Sequence, residues 1–172
     1  MQTIADWITF ESLQAFTLSF SSFWVICEIF HFIGLALLIG TVGLLDLRLL
    51  GFAKSLPAGQ MQPLIKWGIV GFVLCFLTGV VFVSGDPFKD PILHLQNPVF
   101  LVKMSFVLLA GINLWMFRRP DMQRAVEGLG PGDDAPQKAR IMAGSSLFLW
   151  LGVIYCGRML PWRDAFFFVF YW

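Results

Sequence analysis

Long uncharged apolar runs alternate with short polar connections along this chain, and the runs have the length of membrane-crossing helices. Residues 29–45 contain no Asp, Glu, Lys or Arg and are bounded by Glu28 and Asp46. A helix rising ~1.5 Å per residue sets those two acids about 27 Å apart, close to the ~30 Å hydrocarbon thickness of a bilayer. The pattern predicts a first span over about 23–45, with Glu28 at one membrane face, Asp46 at the other and His31 one turn inside. A second run covers 67–85. A third, 98–117, opens at Pro98, a residue suited to a first helical turn, and is broken only by Lys103. The fourth covers 141–158. Ahead of them, residues 3–20 read as a surface helix in which Ile4, Trp7 and Ile8 share one face while Asp6 and Glu11 point elsewhere. The predicted fold is an all-α membrane protein: one domain over 1–172, a four-helix transmembrane bundle with an N-terminal interfacial helix.

Composition strengthens this reading. The chain is 58% hydrophobic and 13% charged, against about 25% charged for a soluble domain. A net charge of +1 with no long basic run gives no nucleic-acid signature. The three cysteines, Cys27, Cys75 and Cys156, are far apart and lie in apolar runs, so they read as small packing residues and not as disulfides. The first residues carry no basic segment of the kind that opens a cleavable signal peptide.

The basic residues predict orientation. Eight of the twelve (Arg48, Lys54, Lys66, Arg118, Arg119, Arg124, Lys138 and Arg140) fall at the end of the bundle that carries the 1–2 and 3–4 connections. Lys89, Arg158 and Arg163 fall at the other end. The positive-inside rule then puts both long connections in the cytoplasm and both termini in the periplasm. Residues 128–134 of the 3–4 connection read as a flexible, turn-rich linker. Small residues four apart predict close helix packing, as at Ala36 and Gly40, at Gly71, Cys75 and Gly79, and at Gly152 and Cys156.

The candidate chemistry gathers at the terminal end. On a helical wheel Trp24, Cys27, Glu28, His31, Gly34, Leu35, Leu38 and Val42 share a face of the first span, with Gly40 and Gly43 on another. Lys103 lies five residues, about 7–8 Å, inside Pro98 and so matches the depth of Glu28 and His31. Arg158 closes the fourth span at that side, and His94 lies in the connection before the third. Ionisable groups inside a membrane either pair or serve a function. Four readings follow. Glu28 and Lys103 form a buried ion pair, with His31 hydrogen-bonded in the bundle of a cofactor-free structural or assembly subunit. Alternatively His31 and His94 ligate one haem b near the periplasmic face, Gly34 leaves room for the macrocycle, and Lys103, Arg158 or Lys89 meets the propionates of an electron-transfer subunit. Softer ligands, Cys27, His31, Cys156 and Met159, would suit copper(I). A proton path has little support, because Asn113 is the one polar side chain near the far end of the third span. No nucleophile–base pair, phosphate loop or zinc motif is visible, so no catalytic activity of its own is expected.

Two stretches carry a resemblance. Glu28-x-x-His31-x-x-Gly34-Leu35-Ala36-Leu37-Leu38-x-Gly40, followed by Asp46-Leu47-Arg48-Leu49-Leu50-Gly51, resembles a family of small four-span bacterial inner-membrane proteins of unknown function. Asn97-Pro98-x-Phe100-x-x-Lys103-Met104 is similar to that family's entry into its third span. The likeness covers about residues 20–160, and the layout is distantly similar to copper-resistance membrane proteins and haem-b membrane cytochromes. The aromatic tail, 161–172, lies outside this likeness. Residues 165–172 are too few to span a bilayer and include six aromatics, which predicts docking onto lipid or onto another membrane or periplasmic subunit.

Overall fold

The computed structural model describes residues 11–20, 22–88 and 91–162, with no side-chain description for Trp162. The first part of the expected interfacial helix, Lys89, Arg163 and the tail from 163 onward lie outside the described residues. The described chain is helical, without strands. Its elements are α1 (Glu11–Ser19), α2 (Ser22–Leu50), α3 (Ala58–Met61), α4 (Ile65–Ser84), α5 (Pro91–Leu95), α6 (Pro98–Phe117), α7 (Pro120–Glu127) and α8 (Gln137–Met159). Four helical stretches are long and apolar enough to cross a membrane: α2, the stretch Ala58–Ser84 that contains α4, α6 and α8. The protein is a multi-pass membrane protein.

Its outer surface has the chemistry of a lipid-facing belt. Phe32, Leu108, Phe148 and Ile141 are each more than half exposed, as apolar side chains are where lipid and not water is the solvent. Phe52 and Phe88, the most exposed aromatics among the described residues, sit beyond α2 and beyond α4, at opposite ends. That is where aromatic side chains meet a membrane–water boundary. At the foot of α6 the Arg119 guanidinium lies 4.7 Å from the centre of the Trp115 ring.

Glycine decides how closely the helices approach. A Cβ on Gly34 would stand 2.7 Å from the Gly71 carbonyl oxygen and 2.9 Å from Leu74 Cβ, and one on Gly68 would stand 2.8 Å from Thr41 Oγ1. Hence α2 and α4 pack backbone to backbone. On the other side of the bundle the Phe106 ring of α6 lies directly against Gly152 of α8. Of the expected packing glycines, Gly40 and Gly79 instead face open space. The bundle is two tight pairs, α2 with α4 and α6 with α8, joined across α2 and α8, while α4 and α6 barely touch.

The end carrying the two long connections is closed by a compact cap. Leu45, Leu49, Ala58, Met61, Phe117, Val126 and Ala139 form one buried cluster there. Arg48, beside Leu49 of this cluster, is 0% exposed. It donates Nε to the Leu56 carbonyl, one terminal nitrogen to Asp133 O at 3.1 Å and the other to Gly130 O at 2.8 Å. Further bonds run from Gly132 N to Lys54 O, 2.8 Å, and from Ala58 N to Leu129 O, 3.2 Å. The expected flexible linker at 128–134 is therefore fixed to the other connection. The reason is that a guanidinium carries five donors in a rigid fork and can satisfy several turn carbonyls at once.

Candidate functional site

At the terminal end α2 and α4 meet through polar groups. His31 Nδ1 lies 2.7 Å from Thr78 Oγ1. The Thr78 hydroxyl has one proton, and it is directed at the Leu74 carbonyl at 2.7 Å, with Cys75 O at 3.3 Å. Thr78 therefore accepts from His31 Nδ1–H, which in a neutral ring is the tautomer with its lone pair on Nε2. Cys75 Sγ reaches the His31 carbonyl at 3.4 Å, and the Phe82 ring centre is 5.3 Å from that of His31.

The other expected residues disperse around this contact. Lys103 is partly buried against Gly157 of α8, within electrostatic reach of His31, Cys75 and Cys156. Glu28 is exposed and accepts from the Trp24 indole at 3.1 Å. Among the described residues Lys54–Asp134, at 2.6 Å, is the one ion pair, so the structure does not bring Glu28 and Lys103 together. Gly34 does not open a space for a macrocycle, because α4 fills it with the Gly71 carbonyl and the Cys75 sulfur. His94 belongs to a separate short helix, α5, and is partly buried; Arg158 is exposed in the last turn of α8. Among the described residues no three His, Cys, Asp or Glu side chains are grouped as a metal site would need, so Cys27, His31 and Cys156 are not drawn together.

An opening lies toward the opposite end. A cavity of about 290 Å³ sits within the bundle where α4 and α6 stand apart. Leu38 and Val42 of α2, Phe72 of α4, Ala110 of α6 and Trp150 of α8 help to line it. Three polar side chains enter it, from three helices: Asp46, Asn113 and Ser146. Asp46 is only 6% exposed, and its Oδ2 has no hydrogen-bond partner. Ser146 is the hydrogen-bonding neighbour of the Asp46 carboxyl. Asn113 donates Nδ2 to the Met142 carbonyl at 3.0 Å, which leaves its Oδ1 as an acceptor.

Residues 14–163 match a family of unknown function, DUF6644. The chain belongs to that family. No curated protein and no solved structure matches it. The resemblance to an uncharacterised membrane family thus has a match behind it, and the distant likeness to copper-resistance proteins and cytochromes has none.

In this DUF6644 protein the apolar run sets Asp46 at the end of the first span and says nothing of its burial. The helix instead continues to Leu50, and Asp46 points inward. A signal was present in the sequence. The inward face through Leu38 and Val42 continues at the next i+4 step to Asp46, and Leu45 and Leu49 beside it are both buried.

Proposed function

We propose that this is a non-catalytic integral membrane protein that binds a small molecule in the cavity between its helices. One observation carries the reading: a buried carboxyl oxygen without a partner, in an intramembrane cavity whose remaining lining is almost wholly apolar. An uncompensated polar group in hydrocarbon is expensive, and such residues in membrane helices mark ligand or ion sites. The volume is near the lower end of the ~300–1,000 Å³ typical of small-molecule sites. On positive-inside grounds we place the Asp46 end at the cytoplasmic side of a bacterial inner membrane, with both termini periplasmic. A membrane-soluble photolabel, trifluoromethyl-phenyldiazirine, tests the cavity. Ser146 and Trp150 are 6% and 8% exposed, and both line the cavity, so labelling there requires entry into the bundle. Labelling of both, abolished by Gly111→Leu, is expected, since a Cβ at Gly111 has open space and that residue also lines the cavity. Label confined to lipid-facing residues would contradict the reading.

A second reading has its own observation. With Nδ1 donating to Thr78, the lone pair of the His31 ring lies on Nε2, the nitrogen that would ligate iron, and a fixed hydrogen bond on the other nitrogen is the usual arrangement of a ligating histidine. One haem b at His31, with Lys103 toward a propionate, would make the protein an electron-transfer subunit of a larger complex. Gly34 does not provide the space for it. A Soret band after expression with ample haem, lost in His31→Ala, would support this reading; absence of the band in the wild-type chain would remove it.

A further inference from the structure

We infer that the cavity ligand is a small amine in its protonated form, carrying an apolar body, with Asp46 as its counter-ion; this rests on the cavity being a binding site. Polar complementarity gives the class. Asp46 Oδ2 has no partner, and Asn113, with one Nδ2–H bonded to Met142, keeps Oδ1 as an acceptor beside its second N–H. No Lys, Arg or His lines the cavity. The nearest cation in sequence, Arg48, lies two residues on, and its fork is spent on three carbonyls of the cap. The wall therefore lacks a cationic donor, which a ligand can supply.

The rest of the cavity selects what carries that donor. A bare metal cation would need six or more oxygen ligands if it were calcium, and only three polar side chains enter. Apart from Asp46, Asn113 and Ser146 the lining is apolar or glycine, and it includes the rings of Phe72, Phe117 and Trp150. Aromatic faces favour a desolvated organic cation, and apolar walls favour a hydrocarbon or aryl body. Amines of this kind partition into bilayers with the charged end at the headgroups. The separation of α4 from α6 gives them a sideways route to Asp46 that does not pass through the sealed cap.

The test uses the full chain in lipid nanodiscs, 2-phenylethylamine as the probe, and propylbenzene as its uncharged counterpart. The amine is expected to protect Ser146 and Trp150 from the photolabel saturably, at concentrations about tenfold or more below those that propylbenzene needs. Asp46→Asn should keep the label, showing an intact cavity, while its protection by the amine weakens to that of propylbenzene. Equal protection by the two compounds on the wild-type chain would overturn the inference without any variant. So would undiminished amine protection in a labelled Asp46→Asn protein. In both cases the cavity itself stands. If the wild-type chain takes no label at Ser146 or Trp150, the cavity reading and this inference fall together.

Discussion

Two charged residues, two positions apart on α2, have opposite fates. Asp46 faces the cavity, while Arg48 reaches into the cap and holds both connections. Replacing Arg48 by Met leaves three carbonyls without their donor and should cost on the order of 3–5 kcal/mol. Arg48→Lys should recover only part, because an ammonium cannot span three separated carbonyls. Unfolding in detergent measures the loss, and faster proteolysis within 128–134 locates it. Beside Arg48 the exposed Asp134 carboxyl is held below its ordinary value of 3.8, chiefly by the hydrogen bond and charge of Lys54. A depressed folded value means that the contact stabilises the loop above pH 3.8 and that this is lost as pH falls through the lower folded value. Hydrogen exchange at the Gly132 amide, which bonds to Lys54 O, should therefore show no change in protection between about pH 5 and 8. Protection should fall only at stronger acid, and Lys54→Met should remove that acid step. Glu28 and Lys103 should behave as strangers in a double-mutant cycle, adding within about 0.3–0.5 kcal/mol. The sequence could not reveal this, since equal depth in a membrane leaves the angle around each helix undetermined. Asp46 differs, because its inward angle is legible from Leu38 and Val42; what the uncharged run alone does not show is that the helix extends four residues beyond it.

At the scale of elements, the four spans were legible because hydrocarbon thickness imposes length and apolarity together. The third was legible to the residue, since Pro98 begins α6 with Asn97 capping it by accepting from Val99 N at 3.0 Å. Which glycines bring helices together was less legible. Spacing by four marks Gly71 and Gly79 equally, yet only Gly71 meets another backbone, and the sequence of one helix does not say where its neighbour stands. Gly71→Val and Gly152→Val should each destabilise the bundle by about 1–3 kcal/mol through overpacking. Gly40→Val and Gly79→Val should leave thermal unfolding almost unchanged, because a Cβ at either position has nothing within 4 Å. A large loss at Gly79 would mean that α4 has a further partner on that face.

For the whole molecule, two tight helix pairs joined along one side leave the other side open, and that asymmetry makes a cavity possible. Had α4 and α6 closed as the other neighbours do, Asp46 would be sealed among apolar side chains with nothing to meet its free oxygen. The cap matters equally, because Leu45, Ile65 and Phe117 of its buried cluster also line the cavity, and on the proposed reading lipid is then the route of approach. The most direct measurement is carbodiimide modification of the chain's eleven acidic residues in intact membranes, mapped by mass spectrometry. Membrane-soluble diisopropylcarbodiimide should modify Asp46 in preference to the other carboxyls, and a water-soluble carbodiimide should leave Asp46 untouched while it modifies exposed Asp134. Modification of Asp46 by the water-soluble reagent, or by neither reagent, would contradict a buried carboxyl reached through the bilayer.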